Sequence, residues 1–204
     1  MADLRGEDVT NFTNGRLDGD SDEVKRMLAA ALQVARMHCG WHVSPVKVAD
    51  TFTVDGPDSS MLFLPTMKIV GPLTSITEDG IDLDVDDIAI SSGSGPMWRR
   101  RVSLRKRSGG WWTDQYSGIE IVMSHGFTEV EAADWRQGVL SMVDQMSQLP
   151  VQAAIGGSTF GQTALRVDDV QINYGNPYAA MAEEILFSVN TLLCGFQLPP
   201  LEYL

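Results

Sequence analysis

A handful of places in the chain carry residue types at spacings that chemistry uses. His38, Cys39 and His42 lie close together, and with the distant Cys194 they would complete the nitrogen and sulfur set of a tetrahedral zinc site. Gly156-x4-Gly161-Gln162-Thr163 has the outline of a phosphate-binding loop. Gln stands there in place of the Lys that reaches the phosphates, and the segment follows Pro150 and a helical pattern instead of a strand. Ser124-His125 is an isolated pair with no G-x-S-x-G elbow and no identifiable orienting carboxylate. Asp18, Asp20 and Asp22, and again Asp82, Asp84 and Asp86, begin like calcium loops but lack the sixth-position Gly and the Glu at position twelve.

Each of these patterns has an ordinary explanation. A helix end with a buried Cys and a His on its last turn accounts for the first, a glycine-rich connector for the second, and solvated acidic faces for the Asp runs. The residues therefore predict no catalytic group, no metal and no cofactor, and a chain that is not an enzyme. A small metal- or nucleotide-dependent enzyme, resting on His38/Cys39/His42 or on the Gly156 loop, is the alternative.

Charge is distributed unevenly. Fifteen Lys and Arg against twenty-seven Asp and Glu give a formal charge of -12. Such a field repels phosphate backbones and excludes nucleic acid as a tightly held partner, although DNA can pass without sticking. The one basic run, Trp98 to Arg107, is followed by Trp111-Trp112 and has the look of a charged, aromatic nucleic-acid surface. It crosses a predicted strand, however, where Arg99, Arg100, Arg101, Arg105 and Arg107 form a basic edge. Such an edge deters aggregation or docks an acidic neighbour.

The elements that must position these residues follow from periodicity. Val24, Met27, Leu28, Ala31, Leu32, Ala35 and His38 share one helical face over 20–39, with Asp20 and Glu23 in capping-box spacing and Gly40 at the C′ position. A shorter helix is predicted over 5–14, closed by Asn14-Gly15. From Val48 to Ser124 the period changes to two, and short segments bounded by Gly or Pro predict a meander of about six strands. Asp79-Gly80 marks a tight hairpin in it.

Thr128 is placed to N-cap a helix over 129–149 whose face is Ala132, Trp135, Val139, Met142, Val143, Met146 and Leu149, stopped by Pro150. The Gly156 stretch then reads as a linker that sets 151–204 apart from a body spanning 1–150. Within that arm an extended piece near Val167 precedes a last helix opened by Asn176-Pro177, with Ala182, Ile185, Leu186, Val189, Leu192 and Leu193 on its face. Phe196, Leu198, Leu201, Tyr203 and Leu204 lie in an apolar tail broken by Pro199-Pro200, which cannot build its own core and is expected to dock on a partner.

The whole is an α+β chain of 204 residues with a helical core, an antiparallel β subregion and a C-terminal arm. Two cysteines far apart predict free thiols and synthesis in a reducing cytoplasm. Neither a leader pattern nor an apolar run of ~18 residues is present, which predicts no membrane partner.

The order of Cys39-Gly40-Trp41-His42-Val43-Ser44-Pro45-Val46, Leu62-Phe63-Leu64-Pro65-Thr66, Leu73-Thr74-Ser75-Ile76-Thr77-Glu78-Asp79-Gly80 and Val122-Met123-Ser124-His125-Gly126-Phe127 ahead of a long helix resembles one family. It is similar to the head-to-tail adaptor (connector) proteins of long-tailed bacteriophages, especially those infecting actinobacteria. The likeness runs as an order of segments from Leu4 to Leu193 and departs from the simplest adaptors in the long strand region.

The resemblance implies a virion protein at the capsid–tail junction, made in the host cytoplasm. Such proteins form a dodecameric ring of identical subunits beneath the portal, extend the DNA channel, and present a platform to a stopper or tail terminator. Another neck or tail component, a stopper or tail terminator itself, is the neighbouring alternative. On this reading Phe196, Leu198, Leu201, Tyr203 and Leu204 dock on the portal and the arginine edge meets a neighbour. Asp82, Asp84, Asp86 and Asp87, or Asp18, Asp20 and Asp22, would line the channel that passes double-stranded DNA.

Overall fold

The structure is a computed structural model that describes residues 3–91, 101–148, 164–167, 170–173 and 177–199. In chain order its elements are α1 (Gly6–Phe12), α2 (Asp22–Cys39), β1 (Lys47–Val54), β2 (Leu62–Phe63), β3 (Ser75–Glu78), β4 (Ile81–Asp82), β5 (Ile88–Ser91), β6 (Ser103–Lys106), β7 (Ile119–His125), α3 (Ala133–Gln148), β8 (Ala164–Val167), β9 (Val170–Asn173) and α4 (Pro177–Leu193). The α+β class with a C-terminal helix is as expected. Among the described residues no helix is long and apolar enough to cross a membrane.

The chain forms two compact units. One takes the segment ending at Cys39 together with Ala132–Gly195; the other takes Gly40–Glu131 and the segment that begins at Phe196.

In the helical unit α2 buries Val24, Met27, Leu28, Ala31, Leu32 and Ala35, the face that the spacing predicts, and adds Ala30 and Val34. Ser21, not Asp20, caps this helix: its Oγ accepts from Val24 N at 3.2 Å. The Asp20 backbone N–H is already engaged by Asp18 Oδ1 at 3.0 Å in a local turn, which moves the helix start one residue on. Gly40 closes it at φ +77°, a left-handed value that glycine adopts without a Cβ penalty.

Helix α3 buries Trp135, Val139, Met142, Val143 and Met146. Its regular part begins at Ala133, later than expected. Thr128 and Glu131 do form the capping pair, with Glu131 N donating to Thr128 Oγ1 at 3.3 Å and Thr128 N to Glu131 Oε2 at 2.9 Å, but they close a turn ahead of the helix.

The separation of 151–204 from the body does not hold for its helix. Helix α4 packs on both α2 and α3, burying Tyr178, Ala182, Ile185, Val189 and Leu193. Gly138 on α3 permits the approach, since a Cβ there would stand 3.0 Å from Leu193 Cδ2. Polar bonds fix the register: His38 Nε2 donates to Asn190 Oδ1 at 2.8 Å, Tyr178 Oη to Glu23 Oε1 at 3.1 Å, and Ser188 Oγ to Gln145 Oε1 at 3.0 Å. An amphipathic helix gains more by burying its stripe than by swinging free, so composition in the preceding segment was a poor guide. The expected extended piece is a hairpin, with β8 and β9 antiparallel; the Gly156 stretch lies outside the described residues.

The β unit is not a meander but two antiparallel sheets, ordered β1-β7-β3-β4 and β2-β6-β5. The last strand, β7, enters between β1 and β3. The Asp79-Gly80 hairpin forms as the dipeptide predicts, with φ +52° and +78° and Glu78 opposite Ile81. One core joins the sheets: Leu62, Leu64, Ile76, Ile88, Leu104, Trp112, Ile119, Ile121 and Met123.

A charge pair lies at the edge of that core. Lys106 on β6 donates to Glu78 Oε2 on β3 at 2.6 Å, both side chains only about 15% exposed (15% and 14%). The same ammonium donates to Trp111 O at 2.9 Å and sits 4.8 Å from the Trp112 ring centroid. The other oxygen of Glu78 accepts from Thr113 N at 2.8 Å. Removing one partner would leave an uncompensated charge in a dry place, so Lys106→Met is expected to lower stability by about 3 kcal/mol. The double variant Lys106→Met/Glu78→Gln should recover part of that loss. Urea midpoints of the two variants check both statements; equal losses would show that packing, not charge, is at stake.

Candidate functional site

The most distinctive chemical grouping among the described residues is a histidine that the sequence left without a partner. β7 alternates, sending Ile119, Ile121, Met123 and His125 inward. β1 pairs with it antiparallel, and the register slips between Lys47 and Asp50, so that Lys47 lies opposite His125 and Asp50 opposite Met123. The extra residue is accommodated by Ala49 at φ +51°, a conformation that costs a residue with a Cβ, and Ala49 N donates to Ser124 Oγ at 3.3 Å.

The bulge brings Asp50 onto the face of His125, whose Nε2–H donates to Asp50 Oδ2 at 3.0 Å. Phe52 packs edge-on against the imidazole at 4.8 Å and His42 at 5.8 Å. The His42 ring itself is held by the Pro45 carbonyl at 2.5 Å.

The electrostatics of the pair are one-sided. The His125 side chain is 2% exposed, and burial pushes its pKa below the ordinary value although Asp50 works the other way. The hydrogen bond from His125, with Lys47 3.3 Å away, holds the Asp50 carboxyl below the usual carboxylate range. With the Nε2 proton given to Asp50, Nδ1 carries the lone pair, and this atom is buried without a partner.

An orienting carboxylate and a fixed tautomer are two parts of an acid–base relay. Ser124 does not supply the third, because neighbours on a strand point to opposite faces and its Oγ is engaged by the β1 bulge. The arrangement stores a neutral imidazole under a carboxylate. Nothing local in the sequence marks Asp50 as the partner, since the two residues are 75 apart and meet only through the bulged register.

The other candidate residues are scattered. His38 bonds Asn190, the Cys39 thiol lies 3.9 Å from Leu193 O, and Cys194 Sγ donates to Thr191 O at 3.4 Å. Burial pushes the Cys39 thiol up to about 12, so it stays protonated. Among the described residues no three His, Cys, Asp or Glu side chains are grouped as a metal site would require.

In the acidic run Asp82 and Asp86 are exposed. Asp84 Oδ1 accepts from Asp86 N at 3.0 Å to cap a short 3-10 turn, and Asp87 binds Ser108 through N at 2.9 Å and Oγ at 2.5 Å. Asp84 is thus a cap, and Asp87 ties this turn to the segment after β6. Asp18 is likewise a turn former, while Asp20 and Asp22 face solvent.

Of the arginine edge, Arg105 and Arg107 are exposed, whereas Arg101 is half-buried with its Nε unbonded, and burial lowers its pKa. Arg99 and Arg100 lie outside the described residues. The tail begins inside its own unit. Trp41 Nε1 donates to Phe196 O at 2.7 Å, the Phe127 ring stands 5.6 Å from Trp41 and 5.5 Å from Phe196, and Leu198 approaches Gly40. Phe196 and Leu198 are therefore engaged by this chain, contrary to the expectation that the whole tail is free for a partner; Leu201, Tyr203 and Leu204 lie outside the described residues.

The dyad makes stability depend on pH. His125 has a depressed pKa when folded and an ordinary one near 6.5 when unfolded, so below that value the unfolded chain binds the extra proton. The stabilisation is full above pH 6.5 and is lost as pH falls toward the folded value. Urea midpoints should be level from pH 8 to 7 and decline toward pH 5, and His125→Gln should flatten that decline. An unchanged slope in the variant would assign the pH dependence to other groups.

No family model matches this chain, and no curated protein matches it.

Proposed function

We propose that the chain is a structural subunit of a virion ring, seated between a phage portal and the tail and surrounding the path of the DNA. The observation that carries the reading is the display of large apolar side chains on ordered elements whose inner faces are already filled. Phe187 projects from α4, Met37 from α2 and Ile81 from the β3–β4 hairpin. Side chains of this size left in water on both units are the mark of a protein that buries more surface on assembly.

The resemblance in segment order supplies the identity of the assembly, and charge agrees with it. A net charge of -12 suits a conduit wall that phosphate must not wet, and Asp82 and Asp86, with Asp84 and Asp87 beside them, are the carboxylates proposed to face it. Arg105 and Arg107, with Arg99, Arg100 and Arg101, would meet an unlike surface of the next subunit, since contacts in a cyclic ring are heterologous. Leu201, Tyr203 and Leu204 remain as the proposed portal-docking residues. A stopper or tail terminator takes the opposite face.

Electron micrographs of the purified chain, alone and mixed with a portal, test the reading. Closed rings, or a collar added to the portal, are the expected images. A chain that stays monomeric at high concentration and ignores the portal would refute it.

A further inference from the structure

Residues 107–118 join β6 to β7, and almost every turn of this connection is tied down. Gly109 N bonds Lys106 O at 3.2 Å, Trp112 N bonds Ser59 O at 2.8 Å, and Thr113 O accepts from Asp58 N at 3.3 Å. Gln115 O accepts from Gly56 N at 2.9 Å, Ser117 N donates to Asp55 Oδ1 at 2.7 Å, and Gly118 O accepts from Asp79 N at 2.7 Å. Gly56 is required for the approach, because a Cβ there would stand 1.9 Å from Thr113 O. Trp112 is 2% exposed and anchors the loop in the core. Yet Trp111 beside it is 65% exposed and Tyr116 is 90% exposed.

Aromatic side chains held out on a fixed backbone lose little conformational freedom on binding, which is how recognition loops use Tyr and Trp. The charge around them is lopsided. Asp55, Asp58, Asp79 and Asp114 sit on the loop or on segments bonded directly to it, and all four are exposed. Of the cations nearby, Lys106 is consumed by Glu78, leaving Arg107 on the loop and Arg105 on β6.

We infer that this loop is a docking surface for a protein face bearing arginine. A guanidinium stacks on the face of Trp or Tyr and takes a carboxylate as its counter-ion, a combination that an ammonium meets less well and that phosphate opposes. The inference stands apart from the ring reading, since it concerns a surface that any arginine-bearing partner could occupy.

The test uses the full chain and the synthetic peptides acetyl-(Ser-Arg)4-amide and acetyl-(Ser-Lys)4-amide, with binding measured by calorimetry at about 0.1 M salt, where charges a Debye length apart are screened. The arginine peptide is expected to bind more tightly than the lysine peptide. Trp111→Ser/Tyr116→Ser should weaken it about tenfold at unchanged charge, and Asp58→Asn/Asp114→Asn should also weaken it, with circular dichroism unchanged in both. Equal affinity for the two peptides, or indifference to the aromatic pair, would reduce the effect to diffuse attraction by an acidic chain and overturn the proposal. Self-association that disappears with the aromatic pair, seen by sedimentation without peptide, would assign the surface to a second copy and overturn it equally. Failure here with rings still seen by microscopy would leave the ring reading standing.

Discussion

Lys106 reaches from β6 to Glu78 on β3, and through that pair two sheets that share no strand acquire a fixed relation to each other. The hydrophobic core between them is non-directional and would tolerate sliding. A charge in a nearly dry place tolerates little, because its partner must stay within hydrogen-bond reach. The same two side chains hold the backbone at Trp111 and Thr113, so the placement of Trp112 in the core and the path of the loop after β6 follow from one interaction.

The helical unit uses a different logic. Its helices are specified by apolar stripes, and polar bonds such as His38 to Asn190 or Arg16 to Asp144 and Ser147 select among the rotations and shifts those stripes permit. It is also discontinuous in sequence: the chain leaves it at Cys39, returns at Ala132 and leaves again at Gly195. The stripe of α4 therefore has to find α2 and α3 across long separations. Contacts of that kind are slow to form and leave no local trace in sequence.

That difference decides what could be read in advance. The face of α2, the close at Gly40, the Asp79-Gly80 hairpin and the alternation of β7 depend on neighbours a few residues away, and all were legible. Illegible were the order of strands, the attachment of α4 and the meeting of Asp50 with His125. Each depends on pairing at a distance, and the last depends in addition on one extra residue at Ala49 that no composition rule announces. The cap of α2 was missed for a smaller reason: Asp20 and Ser21 are both good caps, and the turn made by Asp18 chose between them. Treating 151–204 as a separate arm failed because a glycine-rich stretch says how a chain bends and not where the helix beyond it comes to rest.

The bonded polar side chains of the β unit separate into two kinds by what they orient. Asp50 and His125 bond each other, with Lys47 on the same carboxylate oxygen and His125 Nδ1 left without a partner, and their surroundings are aromatic and strand backbone. Glu78, Lys106, Asp87 and Asp55 all bond to backbone or side chain between residues 106 and 117. Four ionisable residues on four different stretches of chain are thus committed to the shape of one connection. A surface loop needs no such support merely to join two strands, since loop closure is cheap and short polar turns suffice. An unsupported loop that exposed Trp111 and Tyr116 would instead collapse them onto the nearest apolar surface, because burying such side chains is favourable whenever the backbone is free to move. Holding them in water takes a backbone that cannot relax, and the bonds from Glu78, Lys106, Asp87 and Asp55 supply that rigidity.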